Sequence, residues 1–82
     1  MRETTNSKQP ILQVLLKELR VKTTLTQVSM AEKLNKPQSY VSKYENGEKT
    51  LDFLELRQVC QVLNINICEL SILYEDKLNE SR

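Results

Sequence analysis

Apolar residues along the chain recur every three or four positions and never alternate with polar ones over a strand's length, so helix is the dominant expectation. Leu12, Leu15, Leu16 and Leu19 predict a first helix from about Pro10 to Lys22, with Pro10 suited to its first position. A second begins at Thr26, an N-cap residue type, and turns Met30, Ala31 and Leu34 inward. Its capping box reads as incomplete, because Ser29 stands where a glutamate would reach back. A third helix, from Pro37 or Gln38 to Glu45, faces inward with Val41 and Tyr44 and ends at Asn46-Gly47. Asp52 and Glu55 form a capping pair for a fourth helix that buries Leu56, Val59, Cys60 and Leu63 and closes near Asn64. Asn66 and Glu69 repeat that pair for a fifth, to about Leu78, carrying Ile67, Leu70, Leu73 and Tyr74 inward.

Five helices in 82 residues make one all-α domain, compact but too small for a deep cavity. The expected division is a flexible tail over residues 1–8, the domain over 9–78 and a short C-terminal tail over 79–82. No apolar run approaches the roughly 20 residues needed to cross a bilayer, and the N-terminus lacks the apolar middle of a secretion signal, so a cytoplasmic location is expected. The two cysteines, Cys60 and Cys68, are neither a disulfide framework nor, without histidine or a C-x-x-C pair, a zinc site. Both read as small buried hydrophobes. No metal, cofactor or small-molecule ligand is implied. The lack of histidine, of a Gly-rich phosphate loop and of a nucleophile beside a base argues against an enzyme.

Charge divides the chain unevenly. Through Lys49 there are nine Lys and Arg against five Asp and Glu; after it, three against six. A basic front half suits a polyanion partner on one side of the molecule.

The stretch from Thr26 to Gly47 concentrates the remaining signals. Two helices crossing steeply over a short turn need a small residue at the crossing, which Ala31 supplies. The turn needs a residue that accepts a positive φ, which Asn35 does at little cost. Pro37 then holds Lys36 extended and provides the φ with which a helix starts. With Val41 and Tyr44 inward, the helical period leaves Gln38, Ser39, Ser42 and Lys43 outward. A glutamine amide matches adenine, lysine donates to guanine and serine serves either, so this face can read base edges.

These features, "LTQVSMAEKLN", the turn "NKP", the helix "QSYVSKYE" and the following "NG", resemble the helix-turn-helix of the Cro and lambda-repressor-like family, the XRE regulators of bacteria and phage. The likeness spans Ile11 to Leu70. It implies a compact five-helix lambda-repressor-like DNA-binding domain whose third helix enters the major groove of double-stranded DNA. It also implies a sequence-specific transcriptional regulator, with repression the expected sense. Gln38, Ser39, Ser42 and Lys43 become the base-reading set. Gln27, at the start of the second helix, resembles the family's phosphate-gripping residue, and Asn46 and Lys49 the phosphate contacts of the following loop. Tyr40 either reaches phosphate through its hydroxyl or pads the edge of the core. Arg20 and Glu45 resemble a structural ion pair tying the first helix to the end of the third. Lys36, where an apolar residue is usual, and Pro37, where a capping Ser or Thr is common, depart from the pattern.

One such domain offers few base contacts, each worth about 1–3 kcal/mol of discrimination, so a homodimer on a pseudo-palindrome is expected. Ile67, Leu70, Ile72, Leu73, Tyr74 and Leu78 are many for one side of one helix, and they either form the dimer surface or close the core of a monomer. The rival function is a protein-interaction module or antitoxin-type co-regulator built on the same fold.

Overall fold

The computed structural model describes residues 11–80, which form five α-helices and no strand: α1 Ile11–Lys22, α2 Gln27–Leu34, α3 Gln38–Glu45, α4 Phe53–Val62 and α5 Ile67–Glu80. Pro10 and the tail over 1–8 lie outside the described residues. At the other end α5 continues through Asn79 and Glu80, two residues past the expected boundary at Leu78. No described helix is long and apolar enough to cross a membrane.

The starts of α2, α4 and α5 each have a local cause. Asp52 accepts from the Glu55 amide at 2.8 Å while Glu55 accepts from the Asp52 amide at 2.9 Å, and Asn66 and Glu69 reciprocate at 2.8 and 2.9 Å. The box on α2 is complete, contrary to the sequence expectation. Ser29 Oγ accepts the Thr26 amide at 2.9 Å, and Thr26 Oγ1 accepts the Ser29 amide at 3.0 Å. A hydroxyl suffices there because its own proton goes to the Thr26 carbonyl at 3.2 Å, leaving its lone pairs toward the amide.

The ends of the first four helices rest on left-handed residues. Asn35 (φ 60°) closes α2 with the Lys36 amide donating to the Ala31 carbonyl at 2.9 Å, and Asn64 (φ 65°) closes α4 with the Ile65 amide on the Cys60 carbonyl at 3.0 Å. Gly47 (φ 82°) serves α3 in the same way. At the end of α1 the position falls to Thr24, φ 62°, with the Leu25 amide on the Arg20 carbonyl at 3.2 Å. A β-branched residue is poorly tolerated there, because its Cβ crowds the following carbonyl. Replacing Thr24 by asparagine should therefore raise stability by about 1 kcal/mol, seen as a higher urea midpoint at unchanged slope.

The core is drawn from all five helices: Leu15 and Leu16, Met30 and Ala31, Val41 and Tyr44, Val59, Cys60 and Leu63, and Leu70. Burying a side chain such as Leu16 or Met30 contributes about 1.5–3 kcal/mol. Leu12, Leu19, Leu34, Leu56, Ile67, Leu73 and Tyr74 pack around this core half-buried. Cys60 is buried, and burial pushes its thiol pKa up; Cys68, expected beside it inside, is exposed. Cys68 sits in the first turn of α5, where Ile67 and Leu70 take the inward positions and leave it facing water. Ala31, fully buried, is the small residue where α2 and α3 meet. That contact and the Asn35 corner fix the angle at which α3 leaves the body of the molecule.

Candidate nucleic-acid interface

Three residues spaced along the last turns of α3 anchor it. Val41, Tyr44 and Glu45 are buried, and the opposite face carries Gln38, Ser39 and Lys43 exposed. Ser42 is half-buried and accepts from Asn46 Nδ2 at 3.4 Å, so these two are brought together at the C-terminal end of the face. Among the described residues Ser39 and Lys43 make no side-chain hydrogen bond or ion pair, and both are available to an outside partner. Pro37 occupies the N-cap with φ −70° and ψ 157° and no side-chain cap, which makes Gln38 the first helical residue.

Beneath this face lies a polar chain that begins in the core. Arg20 grips Glu45 through a two-pronged contact, Nε to Oε2 at 2.7 Å and Nη2 to Oε1 at 3.1 Å, and spends Nη1 on the Leu25 carbonyl at 2.7 Å. Glu45 is only 1% exposed, so the pair is dry and its geometry is strongly held. Glu45 Oε1 also accepts from Gln27 Nε2 at 3.0 Å. That bond turns the Gln27 carbonyl oxygen outward, where it accepts from Gln38 Nε2 at 3.3 Å. The amide of the first residue on the open face is thus oriented, through Gln27, by a buried ion pair.

The side of α3 toward α4 is organised by Tyr40, which is half-buried with its ring edge-on to Tyr44 at 5.8 Å. Its hydroxyl donates to Glu55 Oε2 at 3.3 Å, which ties the first turn of α3 to the start of α4. Burial and then Glu55 push its pKa up to about 12, so the hydroxyl keeps its proton at neutral pH. Two ammonium groups lie over the ring, Lys36 Nζ at 5.3 Å and Lys49 Nζ at 5.4 Å from its centre. Lys49 also pairs with Glu55 Oε2 at 3.3 Å. Of the eight expected contact residues, Gln38, Ser39, Lys43 and Asn46 are exposed and Gln27, Tyr40, Ser42 and Lys49 half-buried. The lysine at position 36 was not among them, yet it stands exposed beside Tyr40; its departure from the family's apolar preference was the available signal.

A short α2, a left-handed corner and an α3 with one face anchored and the other polar and open define a helix-turn-helix protein. The family described as Helix-turn-helix matches residues 16–70, and an XRE-family like protein from Pseudomonas syringae pv. tomato str. DC3000 is 37% identical, with a TM-score of 0.73 over 79% of each chain. The chain belongs to the XRE family of helix-turn-helix DNA-binding regulators. The fold is also shared with the restriction-modification controller protein C.Esp1396I, at a TM-score of 0.80 and 18% identity over 85% of this chain and 91% of that one. The clp gene regulator ClgR from Corynebacterium glutamicum follows at 0.75 and 22% over 88% and 97%. C.Esp1396I has been solved as a tetramer on its natural 35 base-pair operator, a structure with a TM-score of 0.76 and 19% identity to this chain over 82% of it and 88% of that chain. The chain has no match among curated proteins.

Proposed function

We propose that this regulator acts as a homodimer that inserts α3 into the major groove at each half of a pseudo-palindromic operator, and that it represses the promoter it covers. The observation that carries this reading is the division of α3, with Val41, Tyr44 and Glu45 fixed in the core and Gln38, Ser39 and Lys43 presented to solvent. Gln38, Ser39, Ser42 and Lys43 read bases; Gln27, Asn46 and Lys49 grip phosphate. Tyr40 contributes by position, holding the first turn of α3 against the start of α4. The operator-bound C.Esp1396I supports a multimeric assembly on DNA.

The dimer face we favour is wider than α5 alone. Leu70 is buried and Ile67, Leu73, Tyr74 and Leu78 are half-covered within one chain, which leaves Ile72 at 62% exposure; on α4, Phe53 and Leu54 stand out at 63% and 69%. An apolar groove bounded by Leu12, Phe53, Leu56, Leu70 and Tyr74 lies beside them. To read two half-sites one helical turn apart, the two-fold axis has to place the two recognition helices about 34–36 Å apart.

Selection of bound duplexes from a random pool tests the reading, with two symmetric half-sites one helical turn apart as the expected result. A pool showing no enriched symmetric sequence would overturn it. Within the selected site, Lys43→Ala should relax preference at one base pair by about 1–3 kcal/mol, whereas Lys49→Ala should weaken all sequences by a similar factor. Competition titrations with single-base operator variants distinguish the two patterns.

A further inference from the structure

We infer that Glu55 is an internal competitor for the DNA backbone, holding the Lys49 ammonium in the free protein and thereby setting how the loop after α3 responds to phosphate. The inference rests on the reading of Lys49 as a phosphate contact.

Glu55 gathers donors from three parts of the fold. Oε1 accepts the Asp52 amide at 2.9 Å in the capping box of α4, while Oε2 takes Lys49 Nζ and Tyr40 Oη, both at 3.3 Å. An anionic oxygen meeting an ammonium and a phenol hydroxyl is the arrangement a phosphate oxygen would offer the same two groups. The Asp52 amide first, and then Lys49, hold the Glu55 carboxyl below the usual carboxylate range, so it is charged at neutral pH. Lys36 supplies the contrast: its ammonium lies over the same Tyr40 ring and has no carboxylate partner among the described residues. Of the two cations flanking Tyr40, one is neutralised from within and the other is not.

A lysine that exchanges a carboxylate for a phosphate releases fewer counterions on binding than one that arrives unpaired. Native Lys49 therefore adds less than its full share to the salt dependence. Glu55→Gln removes the charge and leaves the fold intact, since glutamine serves at this position of a capping box and its amide remains within reach of Tyr40 Oη.

The experiment measures duplex affinity by fluorescence anisotropy against salt for the native chain, Glu55→Gln, Lys49→Ala and the double variant. Glu55→Gln should bind tighter at low salt, with a slope of log affinity on log salt steeper by up to about 0.9, equivalent to about threefold more affinity lost over a fourfold rise in salt. In the Lys49→Ala background the same change should leave the slope unaltered. A Glu55→Gln slope equal to the native one, or an equal change with and without Lys49, overturns the inference while native salt-dependent binding leaves the functional reading standing. Native protein that binds no duplex overturns both.

Discussion

Arg20→Ala will destabilise the domain by about 3–5 kcal/mol, the usual result of removing one partner of a buried ion pair. A domain of 82 residues has roughly 4–12 kcal/mol in total, so this one change removes a third or more of it and should lower the urea midpoint steeply. The cause is the carboxylate left behind. Glu45 keeps one bond from Gln27, which cannot compensate a dry negative charge, and the Leu25 carbonyl loses its guanidinium donor as well. Urea denaturation followed by far-ultraviolet circular dichroism measures the loss. Replacing both partners together, Arg20→Met with Glu45→Leu, should recover most of the stability, because no buried charge is then orphaned. The recovered protein should nevertheless read DNA less selectively, since Gln27 no longer has the Glu45 oxygen that orients it toward Gln38. Stability restored with selectivity unchanged would show that the polar chain plays no part in recognition.

Tyr44→Ala is expected to cost about 3–5 kcal/mol for a different reason. Tyr44 is among the largest fully buried side chains, and it stands edge-on to Tyr40 between α3 and the core. Truncation opens a cavity under the recognition helix that the surrounding helices can fill only in part. DNA binding should fall with the folded fraction although no DNA-facing atom is altered. Tyr44→Phe preserves the ring and its packing, and should retain nearly native stability and affinity. A Tyr44→Ala protein with a native denaturation midpoint would contradict the anchoring role assigned to this face.

Local chemistry made much of this fold legible. Asn35 and Pro37 announce a corner because few residues accept a positive φ and fewer hold the next residue extended. The Asp52–Glu55 and Asn66–Glu69 pairs announce helix starts because the hydrogen bonds that form them span three residues. The exposure of Gln38, Ser39 and Lys43 follows from the helical period once Val41 and Tyr44 are inside. What escaped depends on distant partners. Periodicity has no means of joining Arg20 to Glu45, 25 positions away, or Tyr40 to Glu55, 15 away; the first pair was visible through the family resemblance alone. Gln13 reads as polar yet is buried, with its Oε1 unpaired among the described residues. Phe53, the first residue of α4, stands exposed, outside the inward set of Leu56, Val59, Cys60 and Leu63 that the period picks out. Thr24 carries no turn signature and adopts the left-handed conformation because the end of α1 requires it.

The contrast between Cys60 and Cys68 gives the molecule a built-in chemical reporter. A maleimide dye should attach to the outer thiol alone while the chain is folded. Cys68 lies one helical turn before Ile72, so its labelling rate should slow as protein concentration rises and subunits associate through that side of α5. The self-association constant thus becomes readable from reaction kinetics, without introducing a tag or altering a single residue.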